Sequence, residues 1–460
     1  MAFLIGGANS AADTAFDVAN SCRFDKAGTA YMVKTSASTA NQKTGTISVW
    51  VKRGNLGADM QIIGQTSTNY CRLMFRSSDK LRFYSNEHDL ETNRLFRDCS
   101  SWYHIMVTWD TTQGTAGNRI KIYVNGTQET SFSTETYPDE DDLIQFFIDS
   151  TNTDIARNVA GSDDYFDGYM AEFVVLEGTA AAVTAFGEFD EDSPRIWKPI
   201  DHAQSGNKGA NGTYLDFEDS SNLGNDVYGG TDWTESNLAA TDQATDSPTN
   251  NFCVMNPLLN LHNGTYTYAE GNLEVQSDVR RGAYSSFGVA HGKWWCEAKL
   301  ISFTNGGSGN NLYAIGVSSN PSTMGNDGTG DLAGDYAYGG DGNKEVADSA
   351  SSYGNTYTTN DIIGIALNLD DNELKFYKNG TVQNSGTAIS ITAPASTRDG
   401  FYFFNAGHIE NIAKWSWNFG NPAYSISSGN ADGNGYGNFE HAPPSGFLAL
   451  CTKNLGSDGG

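Results

Sequence analysis

The residues with the clearest capacity for chemistry are carboxylates. In the run Glu188-Phe189-Asp190-Glu191-Asp192, Glu188, Asp190 and Asp192 alternate, so an extended chain would set them on one face. Two carboxyl groups about 5 Å apart can hydrolyse a glycosidic bond, one as nucleophile and one as acid/base. Ser193 and Pro194 follow at once, which breaks the strand and favours a solvated acidic turn. A second chemistry is calcium binding, which needs several oxygen ligands from loops. Asp139 and Asp141 in the run 139–142, and Asp163 and Asp164 with Asp167 nearby, are the candidates. Plain surface charge is the competing reading for both groups.

A third group is the Gly-, Asp- and Asn-rich stretch 325–343. Tyr336 and Tyr338 offer rings that could stack on sugars or anchor a protein contact. Asp327, Asp331, Asp335, Asp341 and Asn343 offer groups for hydroxyls or a cation. The same tyrosines would equally serve a loop packed on a neighbouring subunit, so both readings stand. Trp294 and Trp295 are adjacent, so they face opposite ways. Trp294 shares its parity with Cys296, Ala298 and Leu300 and is expected inside. Trp295 shares its parity with Glu297 and Lys299 and is expected to be half-buried.

Other reactive groups have structural explanations. The seven histidines show no zinc-ligand spacing, and His104 and His408 lie in strand-like segments. Asn-Gly-Thr occurs at Asn125, Asn211, Asn263 and Asn379, where turn chemistry explains the motif better than glycosylation. No nucleophile elbow or phosphate loop is present. The six cysteines lack any CxxC pair and are expected to be free thiols.

The elements that must position these groups are strands. Ile47, Val49 and Val51 alternate, as do Ile105, Val107 and Trp109, then Ile120, Ile122 and Val124. Ile363, Ile365, Leu367 and Leu369 form a later stripe, and Trp415, Trp417 and Phe419 another. The best helical stretch, 180–189, is short. IKIYVNGT (120–127) and LKFYKNGT (374–381) each run a strand into Asn-Gly, the signal of a type I′ hairpin. An all-β chain with one sandwich in each half follows. The 51 glycines against 10 prolines fit many tight turns. Residues 203–250 are polar but keep Tyr214, Phe217, Tyr228 and Trp233, so an ordered connector is expected there.

The formal charge of −27 falls on both halves, and basic residues do not cluster, which excludes nucleic acid as a partner. The opening MAFLIGGANS lacks a basic n-region, and no apolar run approaches a membrane span. Synthesis in the cytoplasm without membrane insertion is the expectation.

SWYHIMVTWDTTQGTAGNRIKIYVNGTQ (101–128) with YFDGYMAEFVVLEG (165–178) resembles the laminin-G-like branch of the concanavalin A-like fold. GKWWCEAKL (292–300), NLYAIGVSS (311–319), DIIGIALNLDDNELKFYKNG (361–380) and KWSWNFG (414–420) resemble a SPRY domain. The resemblance implies two jelly-roll-type sandwiches that bind ligands or proteins, with calcium as the possible cofactor. It divides the chain into an N-terminal segment (1–20), a laminin-G-like sandwich (21–190), a connector (191–284), a SPRY-like sandwich (285–422) and a C-terminal extension (423–460). Glucanases on this fold use an E-x-D-x-x-E strand, which Ser193 interrupts, so a non-enzymatic protein is expected.

The order of parts, ending in PPSGFLALCTKNL, is similar to bacteriophage virion proteins of the tail-fibre type. That similarity implies a tail fibre or spike component that recognises a glycan or protein of the host surface. It also implies contacts with other virion proteins, with residues 1–20 as anchor, and a homo-oligomer, a trimer by analogy to fibres. A capsid decoration or architectural protein is the first alternative, and a polysaccharide depolymerase the second.

Overall fold

The structure is a computed structural model that describes residues 16–38, 41–66, 70–158, 160–202, 208–259, 266–277, 282–304, 313–321, 329–408 and 412–457. The described residues form two compact units, one running to Thr249 and one beginning at Asn250. Residues 1–15, Asp327 and the sequon at Asn263 lie outside the described residues, as does the side chain of His408.

Both units are antiparallel sandwiches. In the first, one sheet is centred on Thr44–Arg53, flanked by Tyr103–Asp110 and Gly168–Glu177. The second sheet runs in the order Phe132–Thr136, His88–Leu95, Lys80–Ser85, Tyr70–Phe75, Met60–Thr66, Asn152–Ile155, Tyr31–Thr35 and Thr234–Ser236. The stripes Ile47/Val49/Val51, Ile105/Val107/Trp109 and Ile120/Ile122/Val124 all enter the core between these sheets. The second unit repeats the plan. Lys293–Thr304 pairs with Ile362–Asn368 and Ile412–Asn418 in one sheet, and Tyr313–Ser318 lies between Phe403–His408 and Asp335–Gly339 in the other. Ile363, Ile365, Leu367, Trp415 and Trp417 fill its core as their alternation requires. Across 180–189 the helical stretch shrinks to one 3-10 turn, Val183–Ala185.

The connector anticipated over 191–284 is divided between the units. Thr213–Leu215 pairs with Gly168–Glu177, and Thr234–Ser236 pairs with Tyr31–Thr35 in the first unit. Glu274–Ser277 pairs with Ile412–Asn418 in the second. Burying aromatic groups binds the segment: Trp197, Tyr214, Phe217 and Trp233 are all buried.

Both Asn-Gly hairpins take the expected turn. Asn125 and Gly126 have φ of 47° and 74°, and Asn379 and Gly380 have 46° and 76°. A Cβ on Gly380 would also stand 2.9 Å from the His441 ring. Gly380→Ala should therefore cost about 1–2 kcal/mol, read as a lower urea midpoint at unchanged slope.

Trp295 departs from expectation. It is fully buried, not half-buried, because Phe252, Phe439, Ala449 and Cys451 cover the outer face of its sheet. Leu448–Ala449 adds a parallel pairing to Lys293–Thr304. The carboxylate of Glu297, also on that face, accepts the backbone N–H groups of Glu440 and His441 at 2.9 and 2.7 Å. Burial pushes its pKa up to about 7 against those hydrogen bonds. All six cysteines are free and buried.

Candidate functional site

The second unit carries an open cavity of about 450 Å³ lined by Asn320, Leu332, Ala333, Gly334, Thr392, Ser396, Thr397 and Arg398. Asp335 holds two of these residues, Asn320 and Leu332, by hydrogen bonds. Ser318 Oγ and Asn320 Nδ2 donate to Asp335 Oδ1 at 2.6 and 2.9 Å, and Asn320 Nδ2 also donates to the Ala333 carbonyl at 2.8 Å. Burial raises the Asp335 pKa to about 6, although these donors oppose the shift. Gly334 has φ of 94°, and a Cβ there would meet Ser319 Oγ at 2.2 Å, so the backbone needs glycine.

The opposite wall is the turn Pro394–Ser396 and the residues after it. Thr397 Oγ1 donates to the Pro394 carbonyl at 2.7 Å and accepts the Gly400 N–H at 3.2 Å. The Tyr402 hydroxyl donates to the Thr392 carbonyl at 2.8 Å, and the Thr392 N–H donates to the Tyr336 hydroxyl at 2.9 Å. Arg398 keeps 55% of its side chain exposed at the mouth. Hydroxyl, amide and guanidinium groups therefore converge on a partly apolar hollow, a chemistry suited to polyhydroxylated or carboxylated ligands.

The loop residues anticipated for binding fall into different places. Tyr336 and Tyr338 do not present rings to a ligand: both are buried in the core of the second unit, at 5% and 0% exposure. Strand alternation decided this, because Asp335–Gly339 is an internal strand of its sheet and not a loop. Tyr336 instead holds Thr392 from beneath the cavity. Asp341 accepts the backbone and side-chain N–H groups of Asn343 at 3.0 and 2.7 Å, so these two close a turn. Asp331 does join a cluster. Its carboxylate lies with those of Glu345 and Asp348, all within 4.8 Å of one another, one residue along the chain from cavity-lining Leu332. Burial, then Asp331 and Asp348, raise the Glu345 pKa to about 7.

The calcium candidates of the first unit each have a partner within the chain. Asp141 pairs with Lys43 at 2.9 Å, and Asp139 shares a turn with Asp142. Asp163 and Asp164 both accept from Asn158 Nδ2, at 2.7 and 3.2 Å. Among the described residues, the acidic groups that converge on one point are Asp331, Glu345 and Asp348. Glu188 and Asp190 both reach Lys198, at 3.4 and 3.5 Å, and Asp190 accepts the N–H groups of Asp192 and Ser193. That is a hairpin end held by an Asp-centred turn. His104 is structural: it contacts Ser48 Oγ at 2.8 Å and accepts Trp197 Nε1–H at 3.1 Å, and burial lowers its pKa to about 3.

Sequence reasoning missed Asn320, Thr392, Thr397 and Arg398. The available signal was PASTRDG (394–400), a turn-rich run with a lone arginine. Nothing local tied it to the loop before Asp335.

Residues 26–182 match the family described as the concanavalin A-like lectin/glucanases superfamily, of laminin-G type, and residues 296–404 match the SPRY domain. The chain carries both domains. Domains of these kinds point to ligand or glycan recognition. No curated protein matches the chain. Among solved structures, it is similar to a Bacteroides ovatus protein assigned to carbohydrate binding, at 16% identity and a TM-score of 0.29. That match covers 48% of this chain and spans 59% of the other. The SPRY domain of human HERC1 matches at 14% identity and a TM-score of 0.24, covering 32% of this chain and 87% of that one. A heptameric pentraxin from Limulus polyphemus matches at 14% and 0.26, covering 35% and 78%. At these TM-scores and identities nothing carries over from them to this chain.

Proposed function

We propose that this is a non-enzymatic recognition protein whose SPRY unit binds a glycan or protein ligand in the cavity between Asn320 and Arg398. The observation that carries this reading is the convergence of Asn320, Thr392, Ser396, Thr397 and Arg398 on one open hollow of about 450 Å³. The order of its parts supports a place in a bacteriophage particle, as a tail fibre or spike component that meets the host surface. Assembly as a homo-oligomer beside other virion proteins belongs to the same proposal. Calcium, where it acts, would be held by Asp331, Glu345 and Asp348 beside the cavity, with carboxylate oxygens as hard ligands.

The test is binding of the purified chain to a glycan array, with and without calcium. One glycan class should bind, and Arg398→Ala should weaken it by about tenfold, the usual scale for one lost charged hydrogen bond. Equal binding by wild type and Arg398→Ala would remove the cavity from the proposal. Immunogold labelling of the particle tests the second part: label at the tail supports an appendage, and label over the capsid supports a decoration protein.

A further inference from the structure

The first unit encloses a small cavity that the SPRY reading does not use. Its volume is about 10 Å³, and Ser48 and Glu172 line it together with the apolar side chains of Trp50, Val174, Phe186 and Ile200. That is room for about one water-sized molecule. The strand register explains how two polar side chains come to share it. Ala171 stands opposite Trp50 and Val174 opposite Ser48, so Glu172 and Phe173 together face the single residue Val49. This is a β-bulge, and the left-handed φ of 48° at Glu172 re-aims its carboxyl toward the side of the sheet that Ser48 occupies.

The polarity of the hydrogen bonds around the cavity follows atom by atom. Trp197 Nε1 can only donate, and it donates to His104 Nδ1 at 3.1 Å. Burial lowers the His104 pKa to about 3, so the ring is neutral and its proton sits on Nε2. Nε2–H therefore donates to Ser48 Oγ at 2.8 Å. The serine accepts from the histidine, the reverse of an activated nucleophile, and its own hydroxyl proton is still to be placed. Ser48 is 1% exposed, and among the described residues no side chain accepts that proton. On the far side, the Tyr214 hydroxyl donates to Glu172 Oε2 at 2.6 Å, and among the described residues nothing donates to Oε1. A buried hydroxyl and a buried carboxyl oxygen, each short of a partner, thus line one small cavity with no hydrogen bond between them.

We infer that this cavity is a binding site for one internal water, which accepts the Ser48 hydroxyl proton and hydrogen-bonds to Glu172 Oε1. Chemistry selects water among occupants of that size. An ammonium or metal ion would leave the Ser48 proton unplaced. An anion would meet Glu172, with the charges of Asp201, Asp216 and Glu218 close by. Water serves both states of Glu172, since it accepts from the protonated carboxyl and donates to the carboxylate. The resulting relay runs from Trp197 through His104, Ser48 and the water to Glu172 and Tyr214. It fastens two covering segments, Trp197–Pro199 and Thr213–Leu215, to the sheet beneath them.

A high-resolution crystal structure of the full chain tests the occupant. One water within hydrogen-bond distance of both Ser48 Oγ and Glu172 Oε1 is expected. A direct Ser48–Glu172 hydrogen bond, an ion in the cavity, or no density there would overturn the inference. In solution, NMR titration of the Glu172 side-chain carboxyl carbon reads the effect of the water. Ser48→Ala removes the group that holds the water, so the carboxylate loses a donor and Glu172 should bind its proton about tenfold more tightly. Val174→Ile fills the cavity from the neighbouring strand with Ser48 and His104 unaltered, and should give the same change if Ser48→Ala melts early. Asp201, Asp216, Glu218 and His202, the other titratable groups near Glu172 besides Tyr214, are the same in all three proteins. An unmoved titration in the folded variants would count against the water as decisively as an absent density.

Discussion

Asp246→Ala should lower the melting transition of the first unit by roughly 10 °C, corresponding to a loss of about 3–5 kcal/mol. Asp246 is fully buried and its Oδ2 receives Lys52 Nζ at 2.7 Å, with the lysine side chain only 1% exposed. Its Oδ1 accepts Trp102 Nε1–H at 2.9 Å, and its backbone carbonyl accepts Ser21 Oγ–H at 2.6 Å. Removing the carboxylate takes a counter-charge from a buried ammonium in a low-dielectric site, which costs more than the pair contributes net. The double variant Lys52→Met/Asp246→Leu removes both charges and should recover most of the loss, short of the Trp102 hydrogen bond. Differential scanning calorimetry of the three variants checks this. A double variant no better than Asp246→Ala would show that the carboxylate acts mainly through Trp102.

Glu172→Gln should stabilise the first unit at pH 8.5 by about 2–5 kcal/mol and leave it nearly unchanged at pH 4. Glu172 sits at a bulge of Gly168–Glu177 with φ of 48° and is 9% exposed. Tyr214 donates its hydroxyl to Glu172 Oε2 at 2.6 Å. Burial dominates over that bond and raises the pKa to about 8 from 4.5. The native state therefore holds a proton that the unfolded chain releases above pH 4.5. The stability this proton confers is complete below pH 4.5, declines as pH rises, and is gone above about pH 8. A neutral glutamine keeps an acceptor for Tyr214 and has no such dependence. His104 and His202, whose pKa values burial lowers, act in the opposite direction as pH falls below 6.5. Comparing variant with wild type at each pH cancels them. A difference in urea midpoint that does not grow from pH 4 to 8.5 would show that Glu172 is ionised in the folded state.

The same neighbourhood shows where local reading stops. Ser48 and Trp50 alternate with Ile47, Val49 and Val51, yet both faces of that strand are buried. Trp102, Tyr169 and Trp197 pack over Trp50, and Trp197 lies 147 positions further along the chain. Trp295 is hidden for the same reason, by Phe439 and Ala449. Period-two alternation tells which residues share a face, but not what covers it.

The candidate sites divide in the same way. Asp331 was legible from composition, because a Gly- and Asp-rich run marks a place for polar ligands. Its partners Glu345 and Asp348 were not, since the turn that brings them back depends on strand pairing at Asn343–Val346. Tyr336 and Tyr338 carried the right chemistry on the wrong side, because the run of glycines around them hid an internal strand.

By itself the sequence determined the two sandwiches, their core stripes and both Asn-Gly hairpins, because each is written in eight to twelve consecutive residues of alternation and turn chemistry. Only the tertiary structure decided the covered faces, the Asp246 ion pair 194 positions from Lys52, and the cavity joining Asn320 to Arg398. Those depend on which strands become neighbours, and that is set by burial summed over the whole chain, not by any local run.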